Sequence, residues 1–121
     1  MYVNTLKLLN ILDNVCWGSK RIKISKILKD VEHVNETSEI CRPHLIDTYD
    51  YRWHCRRVKY FINHPEEINE IEIDEYEICE YGIIGDGNHR FVASVYLGIE
   101  EIPCIYDGDI DFFEDELGGR L

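Results

Sequence analysis

The apolar positions of the chain repeat with a period that changes between helix and strand several times. Residues 4–15 carry leucines at every third position and predict a short N-terminal helix. Residues 20–28 alternate charged side chains with isoleucines, which predicts a half-buried strand with a basic outer face. The polar stretch 29–43 shows no sustained period and ends in proline, so we expect a long loop of the kind that often carries function.

Residues 44–63 predict a long helix that ends where His64 and Pro65 interrupt the pattern. The aromatic side chains share one helical stripe and predict packing in the core: they are Tyr49, Trp53 and Phe61. The arginines fall on the remaining surface, either as a solvated face or as a contact for phosphates: they are Arg52, Arg56 and Arg57.

The later part of the chain predicts short strands around one helix. Residues 71–78 alternate apolar and acidic side chains with one shift of phase, which indicates a strand or a hairpin. A short apolar strand follows at 83–84. A helix over about 88–97 then ends at Gly98, and a last strand covers 102–106.

These elements predict one α+β domain over residues 1–121, with a mixed sheet of about four to five strands and flanking helices. A chain of 121 residues is long enough to bury one core. We expect residues 1–19 to form a helical extension at the N-terminus. We expect the acidic tail, residues 107–121, to fray.

Charge is distributed unevenly along the chain. Residues 1–60 hold 11 basic and 7 acidic side chains, whereas residues 61–121 hold 2 basic and 17 acidic ones, and the net charge is −11. Such an acidic balance disfavours non-specific attraction to nucleic acid, although the basic face of the first half allows a local contact with phosphate. DNA is therefore a partner that the net charge does not favour.

The five cysteines are odd in number and include no C-x-x-C pair, and no apolar run is long enough to cross a bilayer. We therefore expect a cytoplasmic protein with reduced thiols and no membrane partner. Cysteine and histidine side chains invite a zinc hypothesis, but their separations fit no familiar set of four ligands. The residues concerned are Cys41, His44, His54 and Cys55.

The strongest chemical signal is the sequence GDGNHR at residues 85–90, between a predicted strand and a predicted helix. Glycines let a backbone turn sharply and approach a ligand closely. The helix that follows directs free N–H groups and the positive end of its dipole towards the turn. The arrangement predicts a phosphate-binding turn.

Each residue of this turn has a functional and a structural interpretation. Gly85 and Gly87 allow close approach to a phosphate or only the turn itself. Asn88 caps the helix and also offers a donor to a ligand. Arg90 matches phosphate geometry with its planar fork, or forms a surface ion pair.

His89 and Asp86 are the candidates for catalysis. His89 offers a phosphate donor or a general acid, or else serves as a hydrogen-bonded spacer in the first helical turn. Asp86 offers a carboxylate to a magnesium ion that bridges phosphate oxygens, or else fits the turn through its own backbone. The sequence identifies no base that would position a water molecule for hydrolysis.

The turn at residues 85–90, followed by Ala93, Leu97-Gly98 and Ile102-Pro103, resembles the ParB/sulfiredoxin superfamily, particularly its stand-alone ParB-like domains. Members show a D-G-x-H-R or G-E-R-R turn, then an alanine, a leucine-glycine helix end and an isoleucine-proline strand start at similar spacings. The match covers about a fifth of the chain, on a motif with several fixed spacings.

The resemblance implies a small domain that binds a nucleoside triphosphate, CTP or ATP, with Mg²⁺ at the start of this helix. Members act as CTP-hydrolysing switches, sulfinic acid reductases, kinases of free serine or proposed nucleases. Sulfiredoxins place their catalytic cysteine where this chain has Asn88, so we do not expect reductase chemistry. His89 stands where the chromosome-partitioning members have the first arginine, and the DNA-reading helices of those members are not expected here.

The leading hypothesis is therefore a nucleotide-binding ParB-like domain, with NTPase, phosphotransferase or nuclease activity left open. The alternative is a non-enzymatic protein of a mobile element or phage. Its acidic second half would engage a basic protein partner, as a mimic of nucleic acid.

Overall fold

The structure, a computed structural model, describes residues 1–75 and 87–121. The strands of this part of the chain are β1 (Tyr2–Asn4), β2 (Asn14–Trp17), β3 (Lys20–Lys23), β4 (Ile71–Asp74) and β5 (Glu101–Asp107). The α-helices are α1 (Thr5–Ile11), α2 (Ile24–Asp30), α3 (Tyr51–Asn63), α4 (Gly87–Leu97) and α5 (Ile110–Glu116). Short 3-10 helices cover Val31–His33, Pro43–Thr48 and Pro65–Glu67.

β5 is the central strand of a three-stranded mixed sheet. β1 pairs with it antiparallel, with Val3 opposite Ile102, and β4 pairs with it parallel, with Ile71 opposite Cys104. These four side chains share one face and are buried in the core. The mixed α/β class is confirmed, but β2 and β3 form a separate two-stranded sheet, so the described strands do not join in one sheet of four to five.

The predicted helix over 4–15 is wrong in its limits, because the helix is shorter and lies between two strands, β1 and β2. The carboxamide of Asn4 accepts a hydrogen bond from the Lys7 backbone N–H at 2.9 Å and starts α1 after β1. α1 ends at Ile11. β2 then buries Val15 and Trp17 on alternate positions, which is a strand pattern that the leucine spacing concealed.

The basic strand predicted over 20–28 is confirmed only in its first half. β3 exposes Arg21 and Lys23, as expected. The chain then enters α2, where Ile24 and Ile27 are buried three positions apart. Two isoleucines at positions 22 and 24 fit a strand and a helix start equally well, and burial against the core decides for the helix.

The predicted long helix is divided, and the predicted loop is shorter than expected. Residues 44–48 belong to a 3-10 helix, and α3 starts only at Tyr51, where the Asp50 carboxylate accepts from the Trp53 backbone N–H at 2.7 Å. Trp53 and Phe61 are buried as predicted, and Tyr49 is half-buried against Trp53 with ring centroids 4.0 Å apart.

The described elements between Ile71 and Asp107 follow the predicted order. β4 and β5 lie where the alternation placed them, and α4 runs to Leu97 before Gly98 adopts a φ of +70°, the left-handed conformation that ends a helix at low cost for glycine. The predicted strand at 83–84 and the later half of 71–78 lie outside the described residues. None of the described helices combines the length and the apolar character that crossing a bilayer requires.

The acidic tail is a packed helix, so the prediction that it frays is wrong. The Asp109 carboxylate caps α5 by accepting from the Asp111 and Phe112 backbone N–H groups. Phe113 and Leu117 point into the core and are fully buried. The carboxylates of this segment face outward, which is why its composition indicated only a solvated tail.

We expect Phe113→Ala to destabilise the protein by about 3–5 kcal/mol, because it removes a fully buried aromatic ring. Urea unfolding followed by tryptophan fluorescence measures the loss. Phe112→Ala is the matched control, since Phe112 is only partly buried and its removal should cost less. Equal stability of wild type and Phe113→Ala would show that α5 does not pack as described.

Candidate functional site

The first turn of α4 is buried in the middle of the molecule. Gly87, Asn88 and His89 are all buried, and Arg90 is half-buried. Gly85 and Asp86, the other two residues predicted for the site, lie outside the described residues. The roles predicted for them stay predictions, including magnesium binding by Asp86.

His89 forms a hydrogen-bonded pair with His54 of α3. The His54 Nδ1 and His89 Nε2 atoms are 2.9 Å apart, and both side chains are almost completely buried. The two rings are inclined by only 13° with centroids 5.2 Å apart, so they lie side by side in nearly one plane. One proton must lie between the two nitrogens, because two lone pairs or two N–H groups would repel at this distance.

Trp17 of β2 covers the face of this pair. Its indole stacks on His54 with centroids 4.4 Å apart and on His89 with centroids 4.9 Å apart. Trp53 presents its ring nearly perpendicular to both imidazoles, at 5.2 Å and 5.8 Å. The pair is therefore enclosed by aromatic surface contributed by β2 and α3.

The hairpin of β2 and β3 fixes the position of Trp17. Gly18 has a φ of +65°, and a Cβ atom there would lie 2.3 Å from the Asp47 carboxylate, so the turn requires glycine. Asp47 accepts hydrogen bonds from the Ser19 backbone N–H at 2.8 Å and from the Ser19 hydroxyl at 2.9 Å. These bonds hold the pKa of the Asp47 carboxyl below its usual range. The carboxylate therefore ties the hairpin to the 3-10 helix.

Burial keeps both histidines neutral at pH 7. It lowers the pKa of His54 to about 4, and the nearby Lys20 acts in the same direction. The pKa of His89 lies well below its ordinary value because of burial first, and then because of His54, Arg57 and Arg90. At neutral pH the pair thus shares a proton without carrying a charge.

Two polar atoms beside the pair have no hydrogen-bond partner among residues 1–75 and 87–121. They are the Nε2 atom of His54 and the Nε1 atom of Trp17, both on fully buried side chains. Buried polar groups are normally satisfied by protein, water or a ligand. The described residues therefore leave two buried polar atoms beside the pair without a hydrogen bond.

The other two residues of the predicted turn make structural contacts. The Asn88 carboxamide donates to the Cys16 carbonyl at 3.1 Å, which joins α4 to β2. The Arg90 guanidinium donates to the Glu70 carbonyl at 2.7 Å, just before β4. Any contact of Arg90 with a phosphate must therefore coexist with this bond to the backbone.

Two of the three arginines predicted for the outer surface of α3 contact the preceding loop, a role that the sequence did not suggest. Arg56 donates to the Asn35 carbonyl at 3.2 Å, and Arg57 donates to the Thr37 carbonyl at 3.3 Å. Thr37 in turn donates its backbone N–H to the Arg56 carbonyl. The two arginines thus fasten the preceding loop to α3. Arg52 is the exposed member of the set.

No cluster within the described ranges supports the zinc hypothesis for Cys41, His44, His54 and Cys55. In the described part of the chain, the one group of histidine and carboxylate side chains close enough to hold a metal ion lies at the surface after α3. Its members are His64, Glu66 and Glu67. The His64 Nε2 atom lies 2.8 Å from a Glu36 oxygen, and this contact raises the pKa of His64.

A basic groove of about 540 Å³ lies between β3 and α2. It is lined by cationic side chains around the Tyr51 ring: Arg21, Lys23, Lys26 and Lys29. Asp30 is the acidic side chain in its lining, and it is held by Lys26 at 2.8 Å and by the Tyr51 hydroxyl. The groove contains part of the basic face that the sequence predicted.

No sequence pattern indicated a role for Trp17, and His54 was a candidate only as a zinc ligand. The available signal for His54 was its position on the buried side of α3, four residues before Val58 and seven before Phe61. A histidine on an apolar helical stripe needs a polar partner in the core. That the partner is His89, on another helix, follows only from the tertiary packing.

Comparison with known proteins assigns no family: no protein-family model, no curated protein and no solved structure matches this chain.

We expect the free energy of unfolding to fall as the pH drops from about 6.5 towards about 4. Folding lowers the pKa of His54 and His89, so in this pH range the unfolded chain binds protons that the folded chain does not bind. Stability is therefore full above the unfolded pKa and lost below it, by up to about 1.4 kcal/mol per pH unit for each histidine. Urea unfolding over this pH range measures the slope, which His54→Phe should make shallower.

His64→Gln is the control for this slope. Because Glu36 raises the pKa of His64, protonation of His64 opposes the loss in acid, and its removal should make the fall steeper. The carboxyl groups with lowered pKa values, Asp30, Glu36 and Asp47, lose their contribution only at lower pH. Identical slopes for wild type and His54→Phe would contradict the assignment of a buried neutral pair.

Proposed function

We propose that this chain is a ParB-like nucleotide-binding domain that holds the phosphates of CTP or ATP, with Mg²⁺, at the start of α4. The observation that carries the proposal is the juxtaposition of this helix start with a buried, neutral histidine pair. One of the four nitrogens of that pair, His54 Nε2, lacks a partner in the described part of the chain.

The helix itself supports an anion at this position. α4 has 11 residues, and the first turn of such a helix carries the positive end of its dipole and N–H groups that have no partner within the helix. Gly87 opens the helix without a side chain that would block a ligand. The helix start follows the predicted turn, so an anion bound there lies next to the predicted Gly85 and Asp86.

The histidine pair supports chemistry as well as binding. A neutral imidazole oriented by a hydrogen bond to a second group is the usual form of a general base. The sequence provided no base for hydrolysis or phosphoryl transfer, whereas the packing brings His54 to His89 within 2.9 Å. NTPase, phosphotransferase and nuclease activity remain the classes to be tested, and a ligand complex decides among them.

Binding of CTP or ATP with Mg²⁺ should stabilise the wild type by about 2.7 kcal/mol at a hundredfold excess over Kd. Arg90→Ala should weaken this binding by roughly tenfold to a hundredfold, because a charge-assisted hydrogen bond contributes about 1.5–3 kcal/mol. Thermal unfolding with and without nucleotide, followed by titration calorimetry, measures both effects.

Arg52→Ala is the matched control, because Arg52 is an exposed arginine on α3 and its removal should leave nucleotide affinity unchanged. Arg90→Lys distinguishes loss of the ligand contact from loss of the bond to the Glu70 carbonyl, since it keeps the charge without the planar fork. Equal affinity of wild type and Arg90→Ala would contradict the predicted site. No stabilisation by any nucleotide would contradict the function.

The second candidate is the acidic interaction protein, and α5 is the observation that favours it. Because Phe113 and Leu117 anchor this helix, its outer face presents carboxylates in fixed positions: Asp111, Glu114, Asp115 and Glu116. An ordered row of negative charge is suited to a basic partner. This candidate gains support if nucleotides leave the stability of the chain unchanged.

A further inference from the structure

The hydrogen-bond geometry of the histidine pair allows it to bind one additional proton but not two. When one imidazole is protonated, it donates to the lone pair of the other, and the hydrogen bond becomes charge-assisted and stronger. When both are protonated, two N–H groups would face each other across the 2.9 Å separation. The pair is thus limited to one positive charge by its geometry.

Nothing within the described ranges balances that charge closely. Lys20 faces His54 and disfavours its cation, while Asp50 favours it more weakly. Arg57 and Arg90 face His89, and both disfavour its cation. Trp17 and Tyr49 add uncharged aromatic surface. The pair is therefore neutral in the free protein. An anion beside it would favour the positively charged form of the pair.

We propose that the His54–His89 pair takes up one proton when an anion occupies the start of α4, so that anion affinity rises as the pH falls. This inference rests on the proposed function and specifies its regulation. Bound negative charge offsets the cost of a buried imidazolium, and the imidazolium in turn attracts the anion. By linkage the two effects are equal in free energy.

His54 is the positioning residue in this arrangement. It supplies the nitrogen that accepts from, or donates to, His89, and without it a protonated His89 would have a buried N–H with no partner. His54→Phe keeps a flat ring under Trp17 and removes both nitrogens. His89 should then stay neutral whether or not an anion is bound.

Sulfate is the probe that tests the proposal, because it remains a dianion over this pH range, whereas a terminal phosphate titrates near pH 6. We expect the sulfate affinity of the wild type to increase as the pH falls from about 8 to about 5.5, by up to about tenfold per pH unit. Calorimetry in buffers of different ionisation enthalpy should report net proton uptake of at most one per sulfate.

The His54→Phe variant should bind sulfate with an affinity that does not depend on pH and without proton uptake. His64→Gln, which removes a half-buried histidine that contacts Glu36 outside the pair, should keep the wild-type profile. Circular dichroism at each pH confirms that the variants are folded. If His54→Phe and wild type show the same pH profile, the inference is wrong while the binding site stands.

The wild type alone provides a second readout. In ¹⁵N spectra of labelled histidines at about pH 6, sulfate should move the His54 and His89 nitrogens towards imidazolium values. Sulfate binding that leaves these signals unchanged would overturn the inference. Absence of binding by sulfate, CTP and ATP at every pH would instead remove the proposed function, and this inference with it.

Discussion

One hydrogen bond between two imidazoles organises the centre of this protein. It joins α3 to α4, and the indole of Trp17 places β2 over both rings. A neutral pair is compatible with this enclosed space, whereas each added charge would carry an unfavourable desolvation free energy. The bond and the Trp17 stacking thus bring three elements together, and burial of the same pair keeps neutral the one histidine that lies at the predicted phosphate turn.

The surrounding structure is arranged so that this pair can form. The Gly18 turn and Asp47 hold the hairpin that carries Trp17, and Arg56 and Arg57 hold the loop that precedes α3. The Arg90 side chain fixes α4 to the residue before β4. A helix start that is fixed on several sides is pre-organised, which would reduce the entropic cost of binding the proposed anion.

The sequence predicts β4, α4 and β5 well, because Gly98 ends a helix and alternating apolar positions define a strand. It fails where one pattern fits two structures, as in residues 20–28, and where composition hides packing, as in α5. Within the candidate site, local spacing identified His89 and the helix start. It could not identify His54 or Trp17, because their roles depend on contacts with His89. His89 lies 35 positions after His54 and 72 positions after Trp17 along the chain.

The measurement that tests the central claim most directly is the nitrogen–nitrogen scalar coupling across the hydrogen bond between His54 and His89, in ¹⁵N-labelled protein at pH 7. The account predicts one resolved coupling between an Nδ1 and an Nε2 atom, with both rings in neutral forms. Two histidines without a coupling, each titrating near its ordinary pKa, would contradict it.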